Sequence, residues 1–591
     1  MTVHRGEPAR RVGITLLAIT IVLTLFAGRL IQIQGMESGY YKTAANAEKL
    51  ASLTLPAARG TIYGSNNQIL AMTIETYLVW SDPPLIPANQ LTSVADQVGG
   101  LLGMTGAQVL YLLQHPAAHS PDYVQVESGV SAAAEAKLAA LNLPGIYFTG
   151  SFARAYPNGT ATDDVVGGTN INPQTGVIKG LSGLEATDNK LLTGTNGKEE
   201  VEDSVDGQQI PLAGTQDTPA KNGDSVKLTI NPNLQFEAQQ ACEQEVAKTK
   251  AANCSVVIEQ PKTGAILAMA QWPNTAGTDI ADQYMFAPGS TAKVITASAA
   301  FEHGGKTPMS AYNIPEQIFR GGQYIHDAEW SPGEHYTIAG IIANSSNIGM
   351  SQVVQSVSPQ TQYDYLRNFG LGEPTGLGLP NEEPSASYAP YALPPVSQWA
   401  ADERYTLSFG QGLSVNAVQM ASVYATIANG GVRVQPTLTA GTYNAAGQYT
   451  ASAPSPSKRV IQAKTAKELI SILQQVPAVD NEADQRWGDI DGYAIAAKTG
   501  TSSEPALTGQ KPCPADNALC VHGSSYIGMA PGNGPQVVVA VNVQDPKTDS
   551  DYFGDEVAGP VFYSVMNFAL QTLQIQPQPG LVAPHVQLNA P

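Results

Sequence analysis

Basic residues are scarce in this chain of 591 residues, which has 31 lysines and arginines against 50 aspartates and glutamates. The formal net charge is therefore −19. A protein that binds nucleic acid neutralises phosphates with clustered lysines and arginines, so this balance argues against nucleic acid as the main partner. Hydrophobic residues make up 43% of the chain and charged residues 14%, a composition that supports large buried cores and excludes global disorder.

Cysteine is also scarce. Cys242 and Cys254 lie twelve residues apart, and Cys513 and Cys520 lie seven apart in the turn-rich stretch KPCPADNALCVHG. Neither pair has the histidine partners and the spacing of a metal site. Each pair is compatible with a local disulfide or with two buried thiols, and an extracellular location would favour the disulfide.

One long hydrophobic run stands out, VGITLLAITIVLTLFAG at 12–28, which contains no charged residue. A membrane span needs about 20 residues, and the run reaches that length if it continues past Arg29, whose side chain can snorkel. The basic residues that precede the run are Arg5, Arg10 and Arg11. This asymmetry predicts a cytoplasmic tail over 1–11, a single anchor over 12–33 in the plasma membrane, and an extracellular remainder. A cleaved signal peptide is the alternative, but no small-x-small cleavage site follows the run.

The rest of the chain changes character near residue 224. Residues 53–85 read as short strands and turns, 88–115 as helical, and 150–225 as loop-rich and extended, because Gly, Thr, Asn and Asp dominate there. After that point, SVKLTI is strand-like, and a helix is predicted with Asn231 as its N-cap and Pro232 in its first turn. The final stretch, 577–591, is rich in proline without periodicity, which predicts a mobile tail.

The segment MFAPGSTAKVITASAAFEHGG carries the first candidate for chemistry. Pro288-Gly289 is a turn and Gly304-Gly305 a helix stop, so a helix is predicted to begin at or near Ser290. Lys293, three residues later, lies on the same helical face. Burial, a second cation nearby and the positive end of the helix dipole all favour a neutral amine, and a neutral amine beside a hydroxyl is a general base beside a nucleophile.

Ser-x-x-Lys alone is a weak signal, since a second copy, SPSK at 455–458, lies in a loop rich in proline and serine. A further motif lies in TIAGIIANSSNIGMSQVVQSV, which predicts two helical runs broken at 344–347. There the hydroxyl of Ser345 and the amide of Asn347 either line a site or cap a helix.

Lys-Thr-Gly occurs twice, in IEQPKTGAILAMA at 258–270 and in IAAKTGTSS at 495–503. The first copy lies between two β-prone runs and follows a proline, which predicts a hairpin turn with Lys262 exposed to water. The second copy continues a β-prone run, so Lys498 and Gly500 are predicted on one strand face, where glycine allows a ligand backbone to approach. We therefore interpret Lys498 as the functional copy.

The motifs Ser290-x-x-Lys293, Ser345-x-Asn347 and Lys498-Thr499-Gly500 occur in this order, each in its expected local context. They resemble the active-site set of penicillin-binding proteins and β-lactamases. The whole chain resembles a membrane-anchored class B penicillin-binding protein, a peptidoglycan D,D-transpeptidase. RGTIYGSNNQILA, RAYPNG and GLSGLE resemble pedestal motifs of that family, and SYIGMAPGNGPQVVVAVNVQDP near the C-terminus looks most like its FtsI-type septal branch in actinobacteria.

The resemblance implies an α+β multidomain chain. A single transmembrane helix would be followed by an elongated β-rich pedestal, or dimerisation-like domain, over 34–224. A transpeptidase domain over 225–576 would follow, with an antiparallel five-stranded sheet flanked by helices. One departure is Asn416-Ala417, where many relatives have Thr-Pro; we expect a variation at a helix start that leaves activity intact.

The resemblance also implies a role for each motif residue. Ser290 would attack the substrate, Lys293 would take its proton, Ser345 would relay a proton to the leaving amine, and Asn347 would position substrate and lysine. Lys498 and Thr501 would bind the substrate carboxylate beside Thr499 and Gly500, and the N–H groups of Ser290 and Thr501 would form the oxyanion hole. The implied partners are D-Ala-D-Ala stem peptides, β-lactams, the membrane, and an FtsW-type lipid II polymerase with other division proteins. The implied reaction needs no metal and no other cofactor.

Two alternatives remain open at this stage. A D,D-carboxypeptidase or β-lactamase-like hydrolase would need efficient water activation, yet no Glu-x-x-Leu-Asn loop occurs between Ser345 and Lys498. A division scaffold without catalysis would have no need of the complete motif set. Acylation by a labelled penicillin separates the scaffold from the enzymes.

We predict that Cys513 and Cys520 form a disulfide in the exported protein, because they are close together in a turn-rich loop. Mass spectrometry of non-reduced peptides from the native host checks the pairing. Recovery of both residues as free thiols that react with an alkylating agent would contradict it.

Overall fold

The structure is a computed structural model that describes residues 8–36, 50–117, 119–172, 176–202, 217–274, 279–328, 333–380, 393–480, 488, 490–505, 520–547, 552–578, 580 and 583–590. The chain divides into two compact units. The first consists of Met1–Ala57 and Thr195–Lys221, and the second of Ala58–Gly194 and Asn222–Pro591.

The first unit contains the predicted anchor. Helix α1 spans Pro8–Ile31 and continues as a π-helical turn over Gln32–Met36. Among the residues described, this is the one helix long and apolar enough to cross a membrane, with a mean hydropathy of 2.3. The unit also has a three-stranded antiparallel sheet of β1 (Leu50–Leu55), β8 (Gly197–Glu202) and β9 (Asp217–Thr218).

The second unit begins with a seven-stranded sheet that contains segments from both predicted domains. Its strands are β2 (Ile62–Tyr63), β3 (Ile69–Ser81), β4 (Val124–Ser131), β5 (Ile146–Ala155), β10 (Ser225–Leu228), β18 (Thr439–Tyr443) and β19 (Tyr449–Ala451). Strand β10 starts at the predicted boundary and pairs with β2 on one side and β18 on the other. The two predicted domains therefore share one hydrogen-bonded sheet.

Helices α2 (Leu91–Leu102) and α3 (Gly106–Gln114) cover part of this sheet where the leucine spacing predicts a helical stretch. A further helix, α4 (Ala132–Ala140), lies outside the predicted stretch. The predicted turn at 65–67 joins β2 to β3, with Asn67 at φ +65°, a conformation that asparagine adopts more readily than most residues. Val79, Val98 and Val109 are fully buried between sheet and helices.

The three sequence stretches assigned to the pedestal meet in a buried ion cluster. Arg59 Nε donates to Glu185 Oε2 at 2.6 Å and Arg154 Nε donates to Glu185 Oε1 at 2.7 Å. The side chains of the three residues are at most 2% exposed. Arg59 also donates to Asn189 Oδ1 and Thr193 Oγ1, both at 2.9 Å. This cluster explains why charged residues recur in those stretches, since each buried charge needs its partners.

The second sheet of this unit has five antiparallel strands, as predicted. In spatial order they are β12 (Ala265–Trp272), β11 (Asn253–Gln260), β23 (Val537–Gln544), β22 (Cys520–Ala530) and β21 (Ala496–Pro505). Side chains of β11 and β23 alternate between two separate cores, so both faces of the sheet are covered. The valine-rich sequence VVVAVNVQ of β23 is typical of such a buried strand.

Helices lie on both faces of the five-stranded sheet. Four of them are α8 (Pro232–Thr249), α10 (Lys293–Glu302), α15 (Ala417–Ala428) and α18 (Gly554–Thr572). The other helices of the unit are α5 (Asp163–Val166), α6 (Gly183–Thr187), α7 (Asn189–Leu192), α9 (Ile280–Gln283), α11 (Ile338–Ala343), α12 (Asn347–Val353), α13 (Pro359–Asn368), α14 (Glu403–Ser408), α16 (Ala463–Leu473) and α17 (Val476–Asp480). Four antiparallel strand pairs complete the unit: β6 (Thr169–Ile171) with β7 (Ile178–Gly180), β13 (Ala311–Asn313) with β16 (His335–Thr337), β14 (Ile318–Arg320) with β15 (Gln323–Ile325), and β17 (Val432–Val434) with β20 (Ser457–Arg459).

Two predicted helix starts are confirmed in detail. The side chain of Asn231 accepts from the N–H of Asn233 at the start of α8, with Pro232 in the first turn. Asn416 caps α15 and forms a capping box with Gln419, so the departure from Thr-Pro retains a helix cap at the same place.

The cysteine pairs have different outcomes. Cys242 of α8 and Cys254 of β11 form a disulfide, with their Cα atoms 5.3 Å apart. It closes a short loop within the helix-to-strand connection. The predicted pairing of Cys513 with Cys520 lies outside the described residues, because Cys513 is not among them.

The proline-rich C-terminal stretch was predicted to be a mobile tail, and the structure differs over part of it. Residues 583–590 lie along β16, where Leu588 O accepts from Thr337 N at 2.9 Å and Ala590 N donates to His335 O at 2.8 Å. The proline-rich composition gives no sign of this contact, because β16 lies about 250 positions earlier in the chain.

We expect Glu185→Ala to lower the free energy of unfolding by about 3–5 kcal/mol, since it leaves two guanidinium groups buried without their carboxylate. Urea unfolding of the detergent-solubilised full chain, followed by circular dichroism, measures the change. Glu468→Ala is the control, because its partner Lys464 is 84% exposed at 3.8 Å and such a pair contributes at most about 0.5 kcal/mol. Equal stability of the two variants would contradict the prediction.

Candidate active site

Ser290 lies in a tight turn that leads into α10. Residues Gly289–Ala292 form one 3₁₀ turn and the α-helix continues from Lys293, which agrees with the predicted helix start. Gly289 has φ +53°, a backbone conformation that glycine adopts without strain. The hydroxyl of the fully buried Tyr424 donates to Thr291 O at 2.9 Å, so the turn is fixed from the α15 side.

The amine of Lys293 is the centre of the site. Its Nζ lies 2.9 Å from Ser290 Oγ, 3.3 Å from Ser345 Oγ and 2.7 Å from Asn347 Oδ1. It also donates to the backbone carbonyl of Ser345. The side chain is fully buried. Two motifs more than fifty residues apart therefore converge on one nitrogen atom.

The surroundings of Lys293 favour its neutral form. Burial lowers the pKa of this amine well below the ordinary value for lysine, and the positive charge of Lys498 lowers it further. The carboxylate of Asp327 acts in the opposite direction. The direction agrees with the expectation from sequence, and burial is the largest cause.

The Ser345 motif occupies the break between α11 and α12, as predicted. Ser345 has φ +57°, a left-handed conformation that is uncommon for a residue with a side chain and that is typical of functional sites. Ser346 caps α12 by accepting from Gly349 N at 2.9 Å. The helix cap and the candidate site are thus made by different residues of the same tetrapeptide.

Asp327 is a residue that sequence reasoning missed. Its Oδ1 accepts from the N–H groups of Asn347 at 2.6 Å and Ile348 at 2.9 Å, and its Oδ2 accepts from Ser346 Oγ. A carboxylate at a helix N-terminus is stabilised by the free N–H groups and the helix dipole. No local signal points to it, because it follows β15 and reaches α12 only through the fold.

The second Lys-Thr-Gly copy lies on β21, the edge strand of the five-stranded sheet. Lys498 and Gly500 are buried, while Thr499 and Thr501 are partly exposed. Lys498 Nζ donates to the carbonyl and hydroxyl oxygens of Thr499 at 3.1 and 3.3 Å. Thr501 Oγ1 accepts from Gly554 N at 3.2 Å, which leaves its own O–H to donate elsewhere.

Glycines let the Ser290 turn and β21 approach each other. A β-carbon on Gly500 would lie 2.8 Å from Thr291 Cγ2 and 3.0 Å from Pro288 O. One on Gly289 would lie 2.7 Å from Thr501 O. The group that a side chain at Gly500 would meet is therefore the Ser290 turn itself, and the approach of a ligand backbone there stays a prediction. This contact places Ser290 and Thr501 on facing segments.

The duplicate motifs lie elsewhere, as predicted. Lys262 is exposed in the hairpin turn between β11 and β12. Ser455 precedes the exposed strand β20, where Lys458 Nζ donates to Asn368 Oδ1 at 2.8 Å. Within the described ranges, no group of three or more His, Cys, Asp or Glu side chains is arranged to hold a metal ion, and catalysis without a metal stays a prediction.

Comparisons with known proteins agree with this geometry. The family model for the penicillin binding protein transpeptidase domain matches residues 254–567, more than half of the chain, and the model for the penicillin-binding protein dimerisation domain matches 54–228. Penicillin-binding protein PbpB of Mycobacterium tuberculosis is 31% identical over 95% of this chain and 85% of its own length. Peptidoglycan D,D-transpeptidase FtsI of Escherichia coli is 28% identical over 95% of this chain and 91% of its own length.

A solved structure extends the likeness to three dimensions. Penicillin binding protein 3 of Mycobacterium tuberculosis in complex with aztreonam has a TM-score of 0.66 at 28% identity, over 91% of this chain and all of that one. With these matches and the convergence of its three motifs, the chain belongs to the class B penicillin-binding proteins.

Proposed function

We propose that this protein is a peptidoglycan D,D-transpeptidase that cross-links stem peptides at the division septum through a serine acyl-enzyme. The observation that carries the proposal is the position of the buried Lys293 amine within hydrogen-bond distance of the Ser290 hydroxyl. A nucleophile and a base in such contact are what acyl transfer by serine requires. The names of the relatives support the same reaction.

In the first step, Ser290 Oγ attacks the carbonyl carbon of the penultimate D-Ala while the neutral Lys293 amine takes the hydroxyl proton. The N–H groups of Ser290 and Thr501 donate hydrogen bonds to the developing oxyanion between the two facing segments. Each such donor contributes about 3–4 kcal/mol in other acyl-transfer enzymes. The ester forms as the peptide bond to the terminal D-Ala breaks.

The departing D-Ala nitrogen needs a proton, and Ser345 supplies it. Its hydroxyl lies 3.3 Å from Lys293 Nζ, so the proton taken from Ser290 reaches the leaving amine through this hydroxyl. Asn347 holds the lysine through its side-chain oxygen at 2.7 Å and presents its amide to the substrate. An amine from a second stem peptide then attacks the ester by the reverse sequence.

The strand β21 holds the substrate in register for this attack. Lys498 and the free O–H of Thr501 bind the terminal carboxylate, beside Thr499 and Gly500. As an edge strand, β21 has backbone groups that point away from β22 and can pair with an extended peptide. β-Lactams occupy the same place as mimics of D-Ala-D-Ala.

The proposed anchoring places this chemistry outside the plasma membrane. Helix α1 spans the bilayer once with the arginines at its N-terminal end in the cytoplasm, following the positive-inside rule. We further propose that the span and pedestal bind a polytopic lipid II polymerase of the FtsW type within the division machinery. A synthase that is tethered to a polymerase would receive new strands as they emerge.

We expect Ser290→Ala to abolish covalent labelling by a fluorescent penicillin, because it removes the hydroxyl that lies 2.9 Å from the Lys293 amine. Gel fluorescence measures the label, and circular dichroism checks that the fold is intact. Ser455→Ala is the matched control, since it removes the serine of the other Ser-x-x-Lys copy and should label like the wild type. Labelling of Ser290→Ala at the wild-type level would overturn the assignment.

We expect Lys498→Ala to slow acylation about 10- to 150-fold, the equivalent of one lost charged hydrogen bond. The acylation rate should rise with pH, because a larger fraction of Lys293 is then deprotonated. Removal of the Lys498 charge raises the pKa of Lys293 and moves this rise to higher pH. Lys262→Ala should change neither quantity, because its side chain is exposed in a hairpin.

Asp327→Asn should move the same pH profile in the opposite direction. The lost negative charge no longer stabilises protonated Lys293, so its pKa falls and the rise shifts to lower pH. Second-order acylation rates by a penicillin, measured across pH for both variants, test the pair. Shifts in the same direction for Lys498→Ala and Asp327→Asn would refute this account of the amine.

We expect a chain in which 12–33 is replaced by an unrelated span to lose co-purification with the polymerase and to impair division. Pull-down from membranes and imaging of growing cells measure the two effects. The untouched transpeptidase domain should still label with penicillin, which controls for folding. Normal division and normal co-purification would show that the span has no specific role in binding.

A further inference from the structure

The C-terminal residues 583–590 form a strap that adds a third extended segment to the β13–β16 pair. Asn589 forms a bridge with Tyr336, and backbone bonds on either side of it join Leu588 to Thr337 and Ala590 to His335. The strap is thus held by the same type of bond as a β-ladder.

The strap has one inner and one outer face. Val586, Leu588 and Ala590 are half-buried, while Gln587 and Asn589 are exposed. Val586 and Leu588 pack against the larger hydrophobic core of the transpeptidase region. This alternation with period two is what an amphipathic strand requires, and it is visible in the sequence VQLNA once the pairing is known.

Two residues of the receiving surface fit the strap closely. A β-carbon on Gly340 would lie 2.1 Å from Leu588 O, so only glycine allows the strap carbonyl at this place. The fully buried Thr337 donates its hydroxyl to Gln587 O at 2.7 Å and accepts from Gly340 N at 3.1 Å. Thr337 therefore caps α11 and binds the strap with one hydroxyl group.

Helix α11 leads directly from the strap to the candidate active site. It ends at Ala343, and Ser346 N donates to Ile341 O at 2.9 Å just beyond Ser345. The carbonyl and hydroxyl oxygens of Ser345 in turn contact Lys293 Nζ. A helix of six residues has little stability of its own, so its position depends on what packs against it.

We propose that the C-terminal strap is a positioning element of the active site, which holds α11 and through it Ser345 against Lys293. The inference rests on the proposed acyl-transfer function for its kinetic effect. Without the strap, the buried Thr337 loses the acceptors of its N–H and O–H groups, and an apolar strip of the core meets water. A displacement of about 1 Å in a reacting group can slow a reaction about 100-fold.

The test compares two double variants of the full chain with the same length and charge. Val586→Asp with Leu588→Asp places both carboxylates on the inner face, and Gln587→Asp with Asn589→Asp places both on the outer face. In the inner-face variant, we expect the limiting rate of acylation by a penicillin to fall about 10- to 100-fold. The affinity of the protein for penicillin in the noncovalent complex that precedes acylation should change little. The outer-face variant should match the wild type. Acylation of the inner-face variant within twofold of the outer-face variant would overturn the proposal.

Gly340→Ala tests the contact from the other side. Alanine is the better helix former, so slower acylation cannot come from a weaker α11 and indicates expulsion of the strap carbonyl. In a chain that ends at residue 582, the same substitution should cause no further loss, because there is no strap to expel. Equal losses in both chains would contradict the role of the strap.

Hydrogen exchange provides a measurement that does not depend on acylation. In the inner-face variant, the amides of Thr337, Ser345 and Ser346 should exchange at least about tenfold faster than in the outer-face variant, as expected for local opening. Unchanged hydrogen exchange at Ser345 and Ser346 would overturn the positioning role, regardless of the acylation rates. If the wild type itself is not acylated, the proposed function fails, and exchange alone then decides whether the strap holds α11.

Discussion

The withdrawal of the Lys293 amine from water is the constraint on which the catalytic region depends. The amine is fully buried, and its direct neighbours are hydroxyl, amide and carbonyl oxygens. Such neighbours accept hydrogen bonds without supplying the full negative charge that would hold the proton. The carboxylate of Asp327 is directed to the start of α12, so it organises the site while it acts on the amine only through its field.

That constraint requires three distant segments to meet closely, and small residues make this possible. Gly289 and Gly500 remove side chains where the Ser290 turn faces the edge of β21. The positive φ of Ser345 turns its carbonyl oxygen toward the lysine. The same close approach brings the segments of Ser290 and Thr501 together, as the proposed oxyanion hole requires. The proposed nucleophile, base and oxyanion donors are therefore not independent parts.

Support for this arrangement extends well beyond the site. The Arg59–Glu185–Arg154 cluster fixes the segments next to β2, and β2 pairs with β10, which pairs in turn with β18. On another side, the strap at 583–590 packs against the start of α11. Both contacts join residues that are far apart in the chain. Their loss would leave buried polar groups without partners, which is a larger penalty than the loss of a surface contact.

The sequence by itself determined the local elements and the motif residues of this protein. The cap at Asn231, the hairpin at 261–264, the turn before Ser290 and the break at 344–347 follow from short-range preferences that the fold retains. Recognition of the motif set also separated Lys498 from Lys262 and Ser290 from Ser455. Only the tertiary structure decided that Asp327 caps α12, that Gly500 accommodates Thr291, and that the proline-rich C-terminus docks on β16. These contacts depend on which distant surfaces are brought together, and periodicity within one segment carries no information about the partner that the segment will meet.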